Sequence, residues 1–239
     1  MAMAARKQRN VEPEWRLFQL AFILLNLPGI VDERSPQREQ VELIFFPTDG
    51  GKTEAYLGVI AFTLLLRRMR GQSRPDKGLG VAVLLRYTLR LLTLDQLGRA
   101  ATLICALELV RRERVALLGV ERFTIGLWVG KSATANTLDE VKGQLEAYLT
   151  RTSETGSPFP LPTCPWCRTK ESPAMKLAYE GKKPIGVSVS CANFRDCEFS
   201  NATNPDGLPV LFVDEQIYRE LPCFVIATVD KFAMLPWRG

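Results

Sequence analysis

Histidine is absent from this sequence of 239 residues. Its absence excludes imidazole as a general base, as a proton shuttle near neutral pH and as a metal ligand. A membrane-spanning run is also missing, since the apolar stretch from Leu17 to Leu27 is interrupted by Gln19 and Asn26 and stops at Pro28. That stretch is too short to cross a bilayer, so we interpret it as a buried helix. No signal peptide precedes it, and we expect a cytoplasmic protein that has no membrane partner.

The composition is that of an ordinary globular protein. Hydrophobic residues make up 46% of the chain and charged residues 24%, while the formal net charge is +5. A length of 239 residues suits one α/β domain with a small insertion. The basic balance is compatible with a polyanionic partner.

Apolar runs of strand length alternate with segments of helical character. We predict strands over 41–46, 80–85, 123–129, 209–213 and 223–228, and helices over 15–27, 52–70, 91–114 and 137–149. The last helix opens with a capping box, Thr137 to Glu140. Residues 150–162, rich in Ser, Thr, Pro and Gly, are interpreted as a linker. This alternation predicts an α/β fold with a mainly parallel sheet and helices on both faces.

The turn after the first predicted strand carries a phosphate-binding pattern. It consists of Thr48, Asp49, Gly50, Gly51, Lys52, Thr53 and Glu54. Glycines let backbone N–H groups approach phosphates, and a helix N-terminus adds partial positive charge. We expect Lys52 to reach the β- and γ-phosphates of ATP and the Thr53 hydroxyl to ligate Mg²⁺. These two residues are the predicted catalytic pair of a P-loop.

Two positions depart from the usual P-loop pattern. Phe46 stands where the general pattern begins with glycine, and Asp49 stands where motor ATPases usually keep a glycine. A carboxylate at position 49 would face the triphosphate and repel it. A nucleotide site weakened by Asp49 is therefore an open alternative, and so is a glycine-rich turn with an accidental Lys-Thr pair.

Four cysteines lie close together in what we call the cysteine segment, residues 164–197. Cys164 and Cys167 have two residues between them, while Cys191 and Cys197 have five. In a reducing compartment such a cluster favours metal over disulfides, and four thiolates satisfy tetrahedral Zn²⁺. A filled coordination sphere predicts a structural site, and we expect metal loss to unfold Pro162 to Phe199 locally rather than the whole domain. The alternative is four unpaired thiols.

Four segments, in this order along the chain, resemble the superfamily 2 helicase of the DISARM anti-phage defence system. They are Trp15–Phe22, Phe45–Tyr56, Arg86–Thr93 and Ala227–Ala233. The resemblance spans nearly the whole chain, although the family's P-loop has glycine where this chain has Asp49. It implies a RecA-like P-loop domain over 1–150 that continues, truncated, over 206–239, with a zinc-binding insertion and linker at 151–205.

The resemblance also implies two contacts with a DNA backbone. Arg86, Thr88 and Arg90 correspond to a motif at a strand end, and cationic and hydroxyl donors at the carboxyl end of a strand suit that role. Thr228 and Lys231 correspond to a second backbone contact. A solvated basic face is the alternative for the first set.

The resemblance also bears on adenine binding and on ATP turnover. Gln19 resembles a glutamine that hydrogen-bonds the adenine edge, and its alternative is a solvent-facing side chain. Such motors also need an acidic Asp-Glu motif and a second RecA-like domain with arginine fingers. Neither is found before Gly239, and Asp214-Glu215, which comes too early in the family order, is interpreted as solvated acids. Activity as an ATP hydrolase therefore stays open, and we expect a fragment or truncated product.

Three functions remain at the level of sequence. The first is the ATP-binding part of a DNA helicase or translocase that works with partner subunits of a defence complex. The second is a non-catalytic nucleic-acid-binding module left by truncation. The third is a P-loop ATPase with a protein substrate.

Overall fold

The computed structural model describes residues 14–45, 51–74, 76–87, 90–130, 133–150 and 156–233. The helices in these ranges are α1 (Leu17–Val31), α2 (Lys52–Gly71), α3 (Arg90–Glu113), α4 (Val115–Leu118), α5 (Leu138–Thr150), α6 (Asp214–Glu220) and α7 (Val229–Ala233). The strands are β1 (Val83–Tyr87), β2 (Ile125–Trp128), β3 (Ala174–Glu180), β4 (Lys183–Ser190), β5 (Val210–Leu211) and β6 (Phe224–Thr228). A short 3₁₀ turn covers Pro36–Glu39.

Four strands form a parallel sheet in the order β1-β6-β2-β5. The strand that comes last in the chain, β6, lies between β1 and β2, and all five of its residues are buried. Phe224 is paired with Val83 on one side and with Ile125 on the other. The predicted α/β class with a mainly parallel sheet is therefore confirmed.

The sheet has a core on each face because successive strand residues point to opposite sides. Ile125 and Leu127 of β2 belong to the main core, with Phe224 and Ile226 of β6. The residues between them face a smaller core, which consists of Trp128, Leu211, Ile217, Val225 and Ala227. Helix α3 covers the first face and α6 covers the second.

The cysteine segment contains structure that the sequence analysis missed. Strands β3 and β4 form an antiparallel hairpin with an irregularity at Ala178 and Tyr179. Phe159 and Leu161, which fall inside the predicted linker, are 4% and 6% exposed and belong to the main core. The linker prediction is therefore wrong from residue 156 onward, because the two large apolar side chains there are buried in the core.

The strand predicted before the P-loop is wrong over the residues that the structure describes. Residues 41–45 have no regular secondary structure, and Val41 and Phe45 are 95% and 90% exposed. An apolar run becomes a strand only when a neighbouring strand accepts its hydrogen bonds, and no described strand pairs with this run. Phe46 lies outside the described residues.

Helix α1 also differs from the buried helix that its composition predicted. It continues through Pro28 to Val31, and Leu17 and Leu24 are 86% and 63% exposed. Only one side of α1 packs against α2, at Gly58, where an added Cβ would lie 2.6 Å from Ile23 Cδ1. Across the described ranges, no helix has the length and apolarity needed to cross a membrane.

A buried guanidinium fixes the loop that leads into β2. Arg68 of α2 is 3% exposed and donates to the carbonyl oxygens of Leu118 (3.3 Å), Glu121 (2.7 Å) and Arg122 (2.9 Å). Its guanidinium carbon lies 4.8 Å from the centre of the Phe123 ring. Burial lowers the pKa of Arg68 from its usual value. This one side chain therefore satisfies three backbone acceptors at the start of the sheet.

A second buried charge supports the same loop from α3. The Glu108 side chain is 1% exposed, and its carboxylate accepts two hydrogen bonds from Arg111, at 2.8 and 2.7 Å. It also accepts from the backbone N–H of Phe123 at 3.1 Å. The hydrogen bond to Glu108 raises the pKa of Arg111. The loop is thus held by opposite charges from two helices.

We predict that Arg68→Met lowers the free energy of unfolding by about 3 kcal/mol, because three buried carbonyls lose their donor. Urea denaturation followed by tryptophan fluorescence measures the change. The control is Arg74→Met, which removes an ion pair with Glu33 whose side chains are 55% and 63% exposed. In this control variant the free energy of unfolding should fall by no more than about 0.5 kcal/mol. Equal losses in the two variants would contradict the role of Arg68.

Candidate nucleotide, nucleic-acid and metal sites

The first turn of α2 carries the described part of the P-loop pattern. Gly51 caps the helix with φ of +86°, a left-handed conformation that favours glycine, and Lys52 and Thr53 open its 20 residues. Thr48, Asp49 and Gly50 lie outside the described residues. The described part suits phosphate binding, because a long helix begins directly after a glycine and a lysine lies at its N-terminus.

Gln19 joins α1 to this helix start. Its side chain is 4% exposed, its Nε2 donates to the Gly51 carbonyl at 2.8 Å, and its Oε1 accepts from the Arg16 N–H at 2.9 Å. A Cβ on residue 51 would lie only 2.7 Å from Gln19 Nε2. The solvent-facing alternative for Gln19 is therefore wrong, and its contact with adenine stays a prediction.

Two contacts connect the first turn of α2 with α3. Glu54 forms an ion pair with Arg99, and the Tyr56 hydroxyl lies 3.1 Å from Thr53 Oγ1 and 3.0 Å from Gln96 Oε1. Gln96 and Arg99 were not among the sequence-predicted site residues. Their positions depend on how two helices cross, which the local sequence does not encode.

The residues predicted to contact a nucleic acid fall on neighbouring strand ends. Arg86 is exposed near the end of β1, paired with Ala227 in β6, and Thr228 ends β6 opposite Tyr87. Arg90 is the first residue of α3, whereas Thr88 lies outside the described residues. Parallel pairing thus brings the two predicted contact sets to one edge of the sheet.

Lys231 follows β6, and its ammonium group is engaged by the protein itself. It forms an ion pair with Asp214 and lies 3.3 Å from Asn136 Oδ1. The Asp214 side chain is 1% exposed, while the side chain of Lys231 is 13% exposed. Lys231 is therefore held by Asp214 and Asn136, and the sequence analysis missed Asn136.

The interpretation of Asp214 and Glu215 as solvated acids is wrong for Asp214. That carboxylate is buried because α6 begins at Asp214 and Lys231 of α7 lies over it. Glu215 is half-buried, and its carboxylate accepts a hydrogen bond from the Leu138 N–H at 3.0 Å. Both carboxylates thus hold protein groups at the strand ends.

The predicted capping box is confirmed, since Thr137 Oγ1 accepts from the Glu140 N–H at 3.3 Å.

The four cysteines of the cysteine segment form a compact sulphur cluster. Cys164 and Cys197 Sγ lie 3.9 Å apart, Cys167 and Cys191 Sγ lie 3.6 Å apart, and all four sulphur atoms lie within 4.8 Å of one another. Zinc–sulphur bonds of about 2.3 Å at tetrahedral angles would place sulphur atoms about 3.8 Å apart. The cluster is therefore compatible with zinc, and its geometry excludes four scattered thiols.

Local backbone contacts bring the ligands together. Cys164 and Cys167 lie on one turn, closed by the Arg168 N–H donating to the Cys164 carbonyl at 3.0 Å. Cys191 follows β4 directly, and its N–H donates to the Phe199 carbonyl at 2.9 Å. Hydrogen bonds with Cys191 and Cys197 lower the pKa of Cys164 to about 2, whereas the hydrogen bond with Cys164 raises the pKa of Cys191 to about 12. The thiols thus act as one hydrogen-bonded unit.

The sulphur cluster lies in the main core. Cys164, Cys191 and Cys197 belong to the same buried cluster as Ile125 and Phe224 of the sheet. Trp166 and Phe199 pack edge to face beside the sulphur atoms, with ring centroids 5.9 Å apart. Thr102 of α3 donates to the Pro165 carbonyl at 2.7 Å. The segment therefore shares its core with the sheet, which differs from the expected locally unfolding insertion.

The two cysteines outside the cluster are buried. Cys105 of α3 and Cys223, next to β6, are 0% and 6% exposed. Burial raises the pKa of both thiols. They are therefore core side chains.

The chain is similar to a protein of anti-phage defence. It is 45% identical over 237 residues to the DISARM protein DrmA of Bacillus paralicheniformis, and the match covers 96% of this chain. The chain spans 21% of that protein's length. No protein-family model matches the chain. The chain is thus related to a DISARM protein, which confirms the DISARM part of the sequence resemblance.

We predict one zinc ion per chain, and removing it by chelation should lower the melting temperature of the whole domain, because the sulphur atoms line the main core. Elemental analysis measures the metal, and hydrogen exchange should rise in β2 and β6 as well as in the cysteine segment. Cys191→Ala should abolish zinc binding, whereas the control Cys105→Ala should retain it. Exchange that rises in the cysteine segment alone would contradict the shared core.

Proposed function

We propose that this chain is the ATP-binding, N-terminal part of a superfamily 2 DNA helicase or translocase of a DISARM defence system, with a structural zinc site. The observation that carries the proposal is its 45% identity to a DISARM protein, joined to a 20-residue helix that begins Gly51-Lys52-Thr53. A RecA-like domain is the fold that we propose for it. The DISARM assignment belongs to the relative from Bacillus paralicheniformis, and we extend it to this chain.

The nucleotide would bind at the first turn of α2. Lys52 would hold phosphate oxygens, and the Thr53 hydroxyl would serve as a ligand of Mg²⁺. Bound MgATP would supply the free energy of phosphoanhydride hydrolysis. Gln19 already fixes the Gly51 carbonyl, so the backbone at the phosphate site is held by α1 before a nucleotide arrives.

DNA would lie along the carboxyl edge of the sheet. Arg86 is exposed there beside β6, and Arg90 follows at the start of α3. Phosphate contacts of this kind are independent of base sequence, as a translocating motor requires. The net charge of +5 supports such a partner. Other subunits of the defence complex are proposed as protein partners.

A second candidate is a non-catalytic nucleic-acid-binding module. One observation favours it, since residues 41–45 are not in the sheet and Val41 and Phe45 are almost fully exposed. A P-loop whose preceding strand is not paired has a less fixed backbone and would hold phosphates weakly. The second candidate predicts DNA binding without nucleotide binding.

Calorimetry with ATP and Mg²⁺ tests the nucleotide site. Lys52→Ala should weaken binding by tenfold or more, because a charge-assisted hydrogen bond is lost, and Asp49→Gly should tighten it by removing a like charge. The control Lys176→Ala removes the same charge from exposed β3 and should change nothing. Binding that is equal in all three variants would remove the P-loop assignment, and no binding in any of them would favour the second candidate.

Replacing both Arg86 and Arg90 with alanine tests the DNA edge. Binding should weaken equally for unrelated sequences, and the slope of log affinity against log salt should fall by about 1.5. Fluorescence anisotropy at several salt concentrations measures both. The control replaces Lys182 and Lys183 at the hairpin turn, which leaves the sheet edge intact. Loss restricted to one DNA sequence would argue for base readout instead.

A further inference from the structure

We propose that Tyr56 is a positioning residue that couples the nucleotide site to the DNA edge, through a hydrogen-bond relay from Thr53 to Gln96. The inference rests on the proposed function and deepens it by naming how the two sites communicate. The relay joins the first turn of α2 to α3, the helix that begins at Arg90.

The relay depends on the number of protons available. The Tyr56 hydroxyl donates to Gln96 Oε1 at 3.0 Å and to Thr53 Oγ1 at 3.1 Å. A phenol carries only one proton, so the two acceptors share it. Thr53 and Gln96 therefore compete for the Tyr56 proton.

This competition is compatible with the role proposed for Thr53. A hydroxyl oxygen that ligates a cation commits a lone pair to it and becomes a poorer hydrogen-bond acceptor. With Mg²⁺ at Thr53 Oγ1, the Tyr56 proton would therefore be donated to Gln96 alone. The state of the nucleotide site would thus change how firmly Gln96 is held.

A second contact keeps the two helices aligned. Glu54 and Arg99 form an ion pair one turn along α3 from Gln96. Their side chains are 35% and 36% exposed, so the pair contributes little stability and serves to orient the helices. The first turn of α2 is therefore attached to one side of α3 at two places.

Helix α3 carries the coupling to the DNA edge. Gln96 lies six residues after Arg90, which at 1.5 Å per residue is about 9 Å along the helix axis. A continuous helix moves as one piece over that distance, so a shift at Gln96 changes the position of Arg90. Binding at either site should then change affinity at the other by the same factor.

The test is a thermodynamic cycle on the full chain with a fluorescent ATP analogue and short single-stranded DNA. Nucleotide affinity is measured with and without DNA, and DNA affinity with and without nucleotide. Wild type should show coupling of about fivefold or more. Tyr56→Phe should bind each ligand alone within about threefold of wild type, yet show a coupling factor near one. The control is Tyr148→Phe, which loses only a hydrogen bond to Ser172 on the surface and should keep the coupling.

Gln96 provides an independent check. Gln96→Glu keeps the acceptor oxygen and should preserve coupling, whereas Gln96→Leu should abolish it. Coupling that survives in Tyr56→Phe, or a wild type that binds both ligands without coupling, overturns the relay. A wild type that binds neither ligand overturns the proposed function and the relay with it, so the two failures are distinct.

Discussion

Four sulphur atoms confined to one small volume impose the strongest constraint on this structure. Buried thiols at contact distance cannot all ionise without a cation between them, because like charges in a poorly solvated site repel. Cys164, Cys191 and Cys197 lie in the main core, so the charge state of the cluster acts on the side chains around it. The sheet and the cysteine segment therefore share one core, and any ion held by the four sulphur atoms would act on both.

The start of α2, where we propose that a nucleotide binds, depends on contacts between helices instead. Gln19 fixes the Gly51 carbonyl from α1, while Glu54 and Tyr56 connect α2 with α3. Each contact is polar and at most partly exposed, so its geometry is specific although its contribution to stability is modest. Arg68, farther along the same helix, then ties α2 to the loop before β2. Helix α2 thus joins the proposed nucleotide site at its first turn to the loop that leads into β2.

The sequence predicted those features whose signal is local. Strands β2 and β6 were found because they are continuous apolar runs, and the Thr137–Glu140 capping box because its spacing is short. The run at 41–46 gave the same signal but has no strand beside it over its described part. Asp214 was misinterpreted because its burial depends on Lys231, 17 residues further along. The sulphur cluster was predictable in its ligands, whereas its position in the shared core required the fold.

The position of β6 in the sheet has a consequence for how the chain folds during synthesis. Strands β1 and β2 do not pair with each other, because β6 lies between them. As the polypeptide leaves the ribosome, both strands must wait for residues 224–228 before their inner edges find partners. Until then the unpaired backbone N–H and C=O groups of these apolar strands stay open to misassociation, a risk that grows with the sequence separation of native contacts. Chaperone capture of the nascent chain would be most useful in that interval.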